Sequence, residues 1–272
     1  AKAAGIAHQQ ITFTALDRAF DRALQEGWLH RVGQNAEGEA LLSPRHILLM
    51  EKQCRRLIVE VQNQVKPLLA KNSGAIEALQ NDLFLSAGQR AAIECMLTTP
   101  HRMVAVQGIA GSGKTSALNR FRIEAEKRGF KPLVIANLSD ATEKAKDSSG
   151  MMAMTTAQFL SDSQRALRQN PIKAKRDYRH RCIIVDEASL LSTESFLELA
   201  HVVTELDVRL TIIGDFKQQG SIRWGILFHD LMAYGLKTVV MRENIRLKNL
   251  DAFKALQKTY AGDIHGALSI LG

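Results

Sequence analysis

The stretch "GIAGSGKTSA" (108–117) sets Gly108, four residues, Gly113, Lys114 and Thr115 in the order G-x-x-x-x-G-K-S/T. Six of these ten residues are Gly, Ser or Thr, so the segment buries little apolar surface and is costly to order. A phosphate chain would offset that cost. The glycines let backbone N–H groups surround the phosphates, Lys114 brings charge to the outer ones, and the Thr115 hydroxyl is a ligand for Mg2+. The candidate nucleotide-binding residues are therefore Gly108, Ile109, Ala110, Gly111, Ser112, Gly113, Lys114, Thr115 and Ser116. A helix opening at this point adds its positive end.

A second piece is "IIVDEAS" (183–189). Asp186, at the end of an apolar run, can hold Mg2+ directly or through water, and Glu187 can orient or deprotonate an attacking water. Alone, two acids there would read as the cap of the next helix; about seventy residues after a phosphate loop, they read as catalytic. A third piece, "IIGDFKQQGSI" (212–222), ends another apolar run at Gly214-Asp215 and places Gln218 within reach of a phosphate or water. By chemistry alone it reads equally as a polar turn.

These pieces need a scaffold. "RMVAVQG" (102–108), "FKPLVIA" (130–136), "RCIIVD" (181–186) and "RLTIIGD" (209–215) are short Val- and Ile-rich runs, as strands buried on both faces should be. Helical patterns lie between them, notably 115–129, closed by Gly129, and 193–206. The alternation predicts an α/β fold, a mostly parallel sheet with flanking helices. Earlier residues read differently. Leu16, Ala19, Phe20, Ala23 and Leu24 form one helical stripe that stops at Gly27, and a short hairpin is expected around "GQNAEGE" (33–39). A long amphipathic segment follows Pro44 and is interrupted near Pro67. Helix followed by hairpin suggests a winged-helix-like module.

In order, these motifs resemble those of superfamily-1 DNA helicases of the RecD-like branch. The resemblance implies a RecA-like P-loop NTPase fold using ATP and Mg2+ on single-stranded DNA. It assigns adenine reading to Gln89 in "LSAGQRAAI" (85–93), where Ser86 and Gln89 also fit a capping box. It maps the G-D-x-x-Q motif onto Gly214, Asp215 and Gln218, followed by "WGILFHDL" (224–231). A DNA-contacting threonine falls on Thr155 in "MTTAQFL", and the terminal-phosphate arginine on Arg246 in "MRENIRLKN". The catalytic set it implies is Lys114, Asp186, Glu187, Gln218 and Arg246, with Thr115 and Asp186 on the metal. Two departures concern the grip on DNA and the local geometry: "ANLSDATEK" (136–144) replaces the usual A-P-T-like motif, and Phe216 and Gly220 stand where prolines are common.

Residues 41–58 and 255–271 further resemble the surroundings of the motor in conjugative relaxase-helicases of the TraI type, with Glu51 on the preceding helix. That likeness implies 5′ to 3′ movement and, as partners, DNA with conjugation or type IV secretion proteins. The alternatives are an ATPase-silent module that binds DNA or a secretion partner, and a RecD-like repair helicase. Relaxase chemistry itself is not expected, because the eight histidines are scattered and no tyrosine pair occurs. The implied organisation is a helical, winged-helix-like module (1–85), a RecA-like P-loop motor domain (86–245), and the truncated start of a second motor domain (246–272). Those last residues are too few for another parallel sheet, so slow ATP turnover is expected.

Composition agrees with these readings. The chain has 272 residues, 46% of them apolar, and a net charge of +8, which suits a polyanionic partner but also an ordinary solvated surface. Cys54, Cys95 and Cys182 fit neither a disulfide framework nor a zinc site. With no signal-peptide-like or membrane-spanning run, a cytoplasmic chain without membrane insertion is expected.

Overall fold

The computed structural model describes residues 13–215, 227–243, 258 and 263–271. Contacts divide the chain into two compact units, Ala1–Gln53 and Cys54–Gly272.

In the first unit, helix α1 (Phe13–Gln25) ends at Gly27, whose φ of 73° closes the helix as the sequence expects. Strands β1 (Leu29–Gln34) and β2 (Ala40–Pro44) pair antiparallel, confirming the hairpin. The Asn35 carboxamide oxygen accepts from the N–H groups of Glu37 and Glu39 and folds the turn. Helix α2 (Arg45–Glu60) follows, runs past the end of this unit at Gln53 and stops before Pro67.

The second unit is built on a six-stranded sheet with the order β5-β4-β6-β7-β3-β8. Its strands are β3 (Met103–Gly108), β4 (Lys131–Ala136), β5 (Met152–Thr155), β6 (Arg181–Val185), β7 (Arg209–Gly214) and β8 (Thr238–Met241). Every pairing is parallel. All four expected strands are present. The two extra ones, β5 and β8, are four-residue edge strands, too short to show a period.

Helices α3 (Gly74–Gln80), α4 (Ala87–Thr98), α5 (Lys114–Glu126), α6 (Ser139–Ser149), α7 (Thr156–Gln169), α8 (Pro171–Tyr178), α9 (Thr193–Glu205) and α10 (Leu227–Ala233) belong to this unit. So does α11 (Ile264–Leu271). Ile76 and Leu79 of α3 join Val104, Val106 and Phe121 in its core, so residues 54–85 belong by packing to the sheet unit. Among the described residues no helix is long and apolar enough to cross a membrane.

Parallel strands put all their carboxyl ends on one edge. The phosphate loop leaves β3 there, the acidic pair leaves β6 and Gly214-Asp215 leaves β7. Ligands of open parallel sheets bind along that edge. The amino edge is closed by a strap, residues 61–69. Val65 N–H donates to the Pro100 carbonyl at 3.0 Å, and Leu69 N–H to the Leu97 carbonyl at 3.0 Å.

Candidate active site

The phosphate loop is shaped by what its glycines allow. Gly111 and Gly113 sit at φ of 80° and 78°, a region that costs other L-residues about 1–2 kcal/mol. Gly108 is needed for a close approach instead: a Cβ there would lie 2.6 Å from Ser112 Oγ and 2.9 Å from Lys114 Cγ. Lys114 folds over the loop, its Nζ donating to the carbonyls of Gly108 at 2.6 Å and Ile109 at 3.3 Å. Ser112 is buried, and its hydroxyl has no hydrogen-bond partner among the described residues. The loop thus keeps polar groups that a phosphate chain would satisfy.

Gln89 supports this loop from behind. Ser86 and Gln89 form a complete capping box: Ser86 Oγ accepts from Gln89 N–H, and Gln89 Oε1 accepts from Ser86 N–H. The remaining Nε2 donates to the Gly113 carbonyl at 3.1 Å. Gln89 is 2% exposed, so its amide ties helix α4 to the loop and does not line the cleft.

Across the cleft, Asp186 and Glu187 follow β6. Glu187 adopts φ 51°, ψ 43°, a left-handed conformation costing about 1 kcal/mol or more for a non-glycine. That bend is held locally. Glu187 N–H donates to Asp186 Oδ1 at 2.9 Å, and the Glu187 carbonyl accepts from Leu190 N–H at 2.9 Å. Gly214 lets the turn after Glu187 approach β7, since a Cβ would meet Ser189 N at 3.1 Å. Burial pushes the Asp186 carboxyl above its ordinary pKa, opposed by the Glu187 N–H and the Lys114 charge. A half-buried acid of this kind is suited to a cation.

Lys114, Thr115, Asp186, Glu187, Ser189 and Asp215 line one cleft of about 630 Å³. The structure thus brings both chemical motifs together from the ends of separate strands. Residues 108–113 of the loop and Ser116 lie outside the set of residues that line the cleft; Ala110 and Ser116 are exposed, on the loop and the first turn of α5. Gln218 and Arg246 lie outside the described residues. Thr155 caps α7, its hydroxyl accepting from Gln158 N–H at 3.1 Å. Among the described residues no cluster of three His, Cys, Asp or Glu could hold a metal by itself.

Two residues of the site are given no role by the sequence reading. Ser189 lines the cleft, and Gln107 on β3 donates from Nε2 to the 2%-exposed Asp215 at 2.9 Å. A glutamine inside an otherwise apolar strand is the signal that points to Gln107.

A parallel sheet with a Gly-Lys-Thr loop and an acidic pair facing it defines a P-loop NTPase. The sequence profile described as AAA domain matches residues 84–272, and the chain belongs to that family. It is 26% identical over 274 residues to the multifunctional conjugation protein TraI of Escherichia coli (strain K12), covering 98% of this chain and 15% of that protein. It is 27% identical over 173 residues to the conjugal transfer protein TraA of Agrobacterium fabrum, covering 61% of this chain and 15% of that one. The chain thus spans about 15% of the length of these curated relatives. The Pif1 helicase from Candida albicans aligns with a TM-score of 0.48 and 18% identity, over 65% of this chain and 44% of that one.

Proposed function

We propose that this chain is the ATP-hydrolysing motor module of a DNA helicase or translocase, acting on single-stranded DNA as part of a conjugative relaxase-helicase. The reading is carried by one observation: Lys114, Thr115, Asp186 and Glu187 converge on a single cleft beside a glycine cradle. The relationship to conjugation proteins supports the biological setting. Polarity from 5′ to 3′ and the roles of Gln218 and Arg246 rest on the family resemblance.

In this reading the backbone N–H groups of residues 109–114 receive the phosphates. Lys114 Nζ exchanges its two carbonyl acceptors for phosphate oxygens, a stronger charge-assisted pairing. Thr115 and Asp186 would hold Mg2+, whose charge would offset that of the phosphate oxygens. The exposed Glu187 carboxylate orients a water against the terminal phosphorus and takes its proton as the new oxygen–phosphorus bond forms and the bond from that phosphorus to the bridging oxygen breaks, with ADP as the leaving group. Asp215, held by Gln107, senses the same end of the nucleotide from β7. Asn137 and Thr155, which follow β4 and end β5, lie on the same edge of the sheet and are the proposed points of single-strand contact.

The test is Mg-ATP hydrolysis and single-stranded DNA binding by the wild type and by Glu187→Gln. Binding of ATP by both, with hydrolysis lost in Glu187→Gln and DNA affinity falling as salt rises, is expected. Equal hydrolysis by the two proteins, or a salt-independent DNA affinity, would overturn the reading.

A further inference from the structure

The net charge of the chain is concentrated away from the cleft. Between 164 and 181 there are seven Lys or Arg and one Asp, in a chain whose net charge is +8. Most of the run lies on and around α8. Lys173, Lys175, Arg176 and Arg179 are all exposed, while the same helix turns Ala174 into the fold.

The platform beneath these charges is fixed. Asn170 caps α8 by accepting from Lys173 N–H, with Pro171 in the first turn. Tyr178 meets Phe159 of α7 edge to face, their ring centres 6.2 Å apart. The chain then enters β6 at Arg181, which stands in register with Lys131 of β4, and Lys131 N–H donates to the His180 carbonyl at 2.7 Å. The basic helix therefore abuts the amino edge of the sheet. Asp186 leaves the opposite end of β6, about 17 Å away at 3.3 Å per residue.

The helix dipole accounts for only part of this patch. Basic groups in the last turn of a helix gain a few tenths of a kcal/mol each, which covers Lys175 and Arg176. The rest repel one another. Arg176 approaches Asp177 at 3.6 Å, and Lys173, Lys175 and Arg179 have no carboxylate partner among the described residues. Like charges held on a rigid surface without counter-charges suit a polyanion.

We propose that the α8 face is a second nucleic-acid surface, binding the phosphate backbone independently of the nucleotide cleft. It goes beyond the single-strand path proposed for the carboxyl edge. An anionic membrane is the less fitting partner, because an interfacial helix needs a free apolar face. Here Ile172, 83% exposed, is the one large apolar side chain that α8 offers to solvent.

The experiment compares the wild type with a quadruple variant, Lys173→Gln, Lys175→Gln, Arg176→Gln and Arg179→Gln. Anisotropy titrations without nucleotide use a mixed-sequence duplex and, separately, a single strand, across a salt series, and a co-sedimentation arm uses vesicles of anionic phospholipid. The variant should lose about tenfold or more in affinity in at least one arm. Its log–log salt slope should fall by about 0.9 for each duplex phosphate no longer neutralised, or about 0.7 for each single-strand phosphate. Mg-ATP binding should be unchanged, which also reports folding. A pair variant, Lys173→Gln with Arg179→Gln, should show an intermediate loss. Unchanged affinity and slope in both arms would overturn the proposal. So would a loss confined to vesicles of anionic phospholipid. Loss of DNA binding in a protein whose wild type does not hydrolyse ATP would leave this proposal standing and remove the motor reading instead.

Discussion

At the carboxyl edge of the sheet, Asp186 is partly desolvated, Glu187 is held at positive φ, and the Ser112 hydroxyl is buried without a partner among the described residues. At the amino edge the buried arginines are tied to backbone carbonyls, although Arg102 Nε has no partner among the described residues and Asn63 and Asp207 sit at φ of 56° and 60°. Arg102 donates to the Val208 carbonyl at 3.1 Å and to Asp207 at 2.7 Å. Arg209 donates to the Thr99 and Lys66 carbonyls. Strain and unmatched polarity thus occur at both edges; what differs is that Asp186 and Glu187 line an open cleft, whereas Arg102 and Arg209 bond backbone carbonyls of the fold itself. Beside a cleft, strain and unmatched polarity are features that a ligand can relieve, whereas side chains committed to backbone carbonyls mark a scaffold.

If the comparison is right, substitutions at the carboxyl edge should change chemistry and leave stability nearly intact. The largest expected effect is on Glu187→Gln. Removing a positioned base costs about 10²–10⁴ in rate, so steady-state ATP hydrolysis should fall within that range while nucleotide binding persists. The left-handed backbone at 187 is the same for Glu and Gln, so the melting temperature should not move. Lys114→Ala comes next. Removing a charge-assisted hydrogen bond to phosphate weakens binding by about 1.5–3 kcal/mol, read as a rise in the dissociation constant of Mg-ATP by calorimetry. Unchanged affinity would detach Lys114 from the phosphates.

The amino edge should respond in the opposite sense. Arg102→Ala removes two donors from a buried site, expected to cost about 1–3 kcal/mol of stability in denaturant titrations. Its Mg-ATP affinity should equal the wild type's. A variant that kept its stability but lost nucleotide binding would erase the distinction between the edges.

The two edges differ in how legible they are from sequence. The phosphate loop can be read from residues 108–115 because its chemistry is local: glycine conformations, one lysine and one hydroxyl in a fixed order. The four central strands are legible because burial on both faces leaves unbroken apolar runs. The Gln107–Asp215 hydrogen bond is not, since it joins residues 108 apart in sequence and needs β3 and β7 to be neighbours. The strap over 61–69 and the arginines that secure it are equally hidden: backbone carbonyls accept regardless of side chain, so no residue pattern marks them. The first unit shows the limit of patterning from another side. Its helix and hairpin match their signals, yet Leu16, Phe20 and Trp28 are 43%, 44% and 68% exposed. An apolar stripe specifies a helix without specifying what covers it.

The smallest expected effect is a pH dependence at the far end of helix α5, which begins at the phosphate loop and ends toward the amino edge. Burial raises the pKa of Glu124, but hydrogen bonds and charge from Lys127 and Arg128 outweigh it, leaving the carboxyl below its ordinary value. The unfolded chain therefore takes up a proton on Glu124 at higher pH than the folded one. Stability from this cluster is complete above the ordinary carboxylate pKa of about 4.3 and declines as pH falls through the lower folded value. Lys127 is 60% exposed, so the contribution should be under about 1 kcal/mol. Glu124→Gln should be slightly less stable than the wild type at neutral pH, and the gap should close as the solution is acidified below about pH 4. A gap that widened with acid would mean that burial controls Glu124 and that its basic neighbours do not. Desolvation would then govern a charge at the amino end of the scaffold, and the contrast between the edges would not extend along α5.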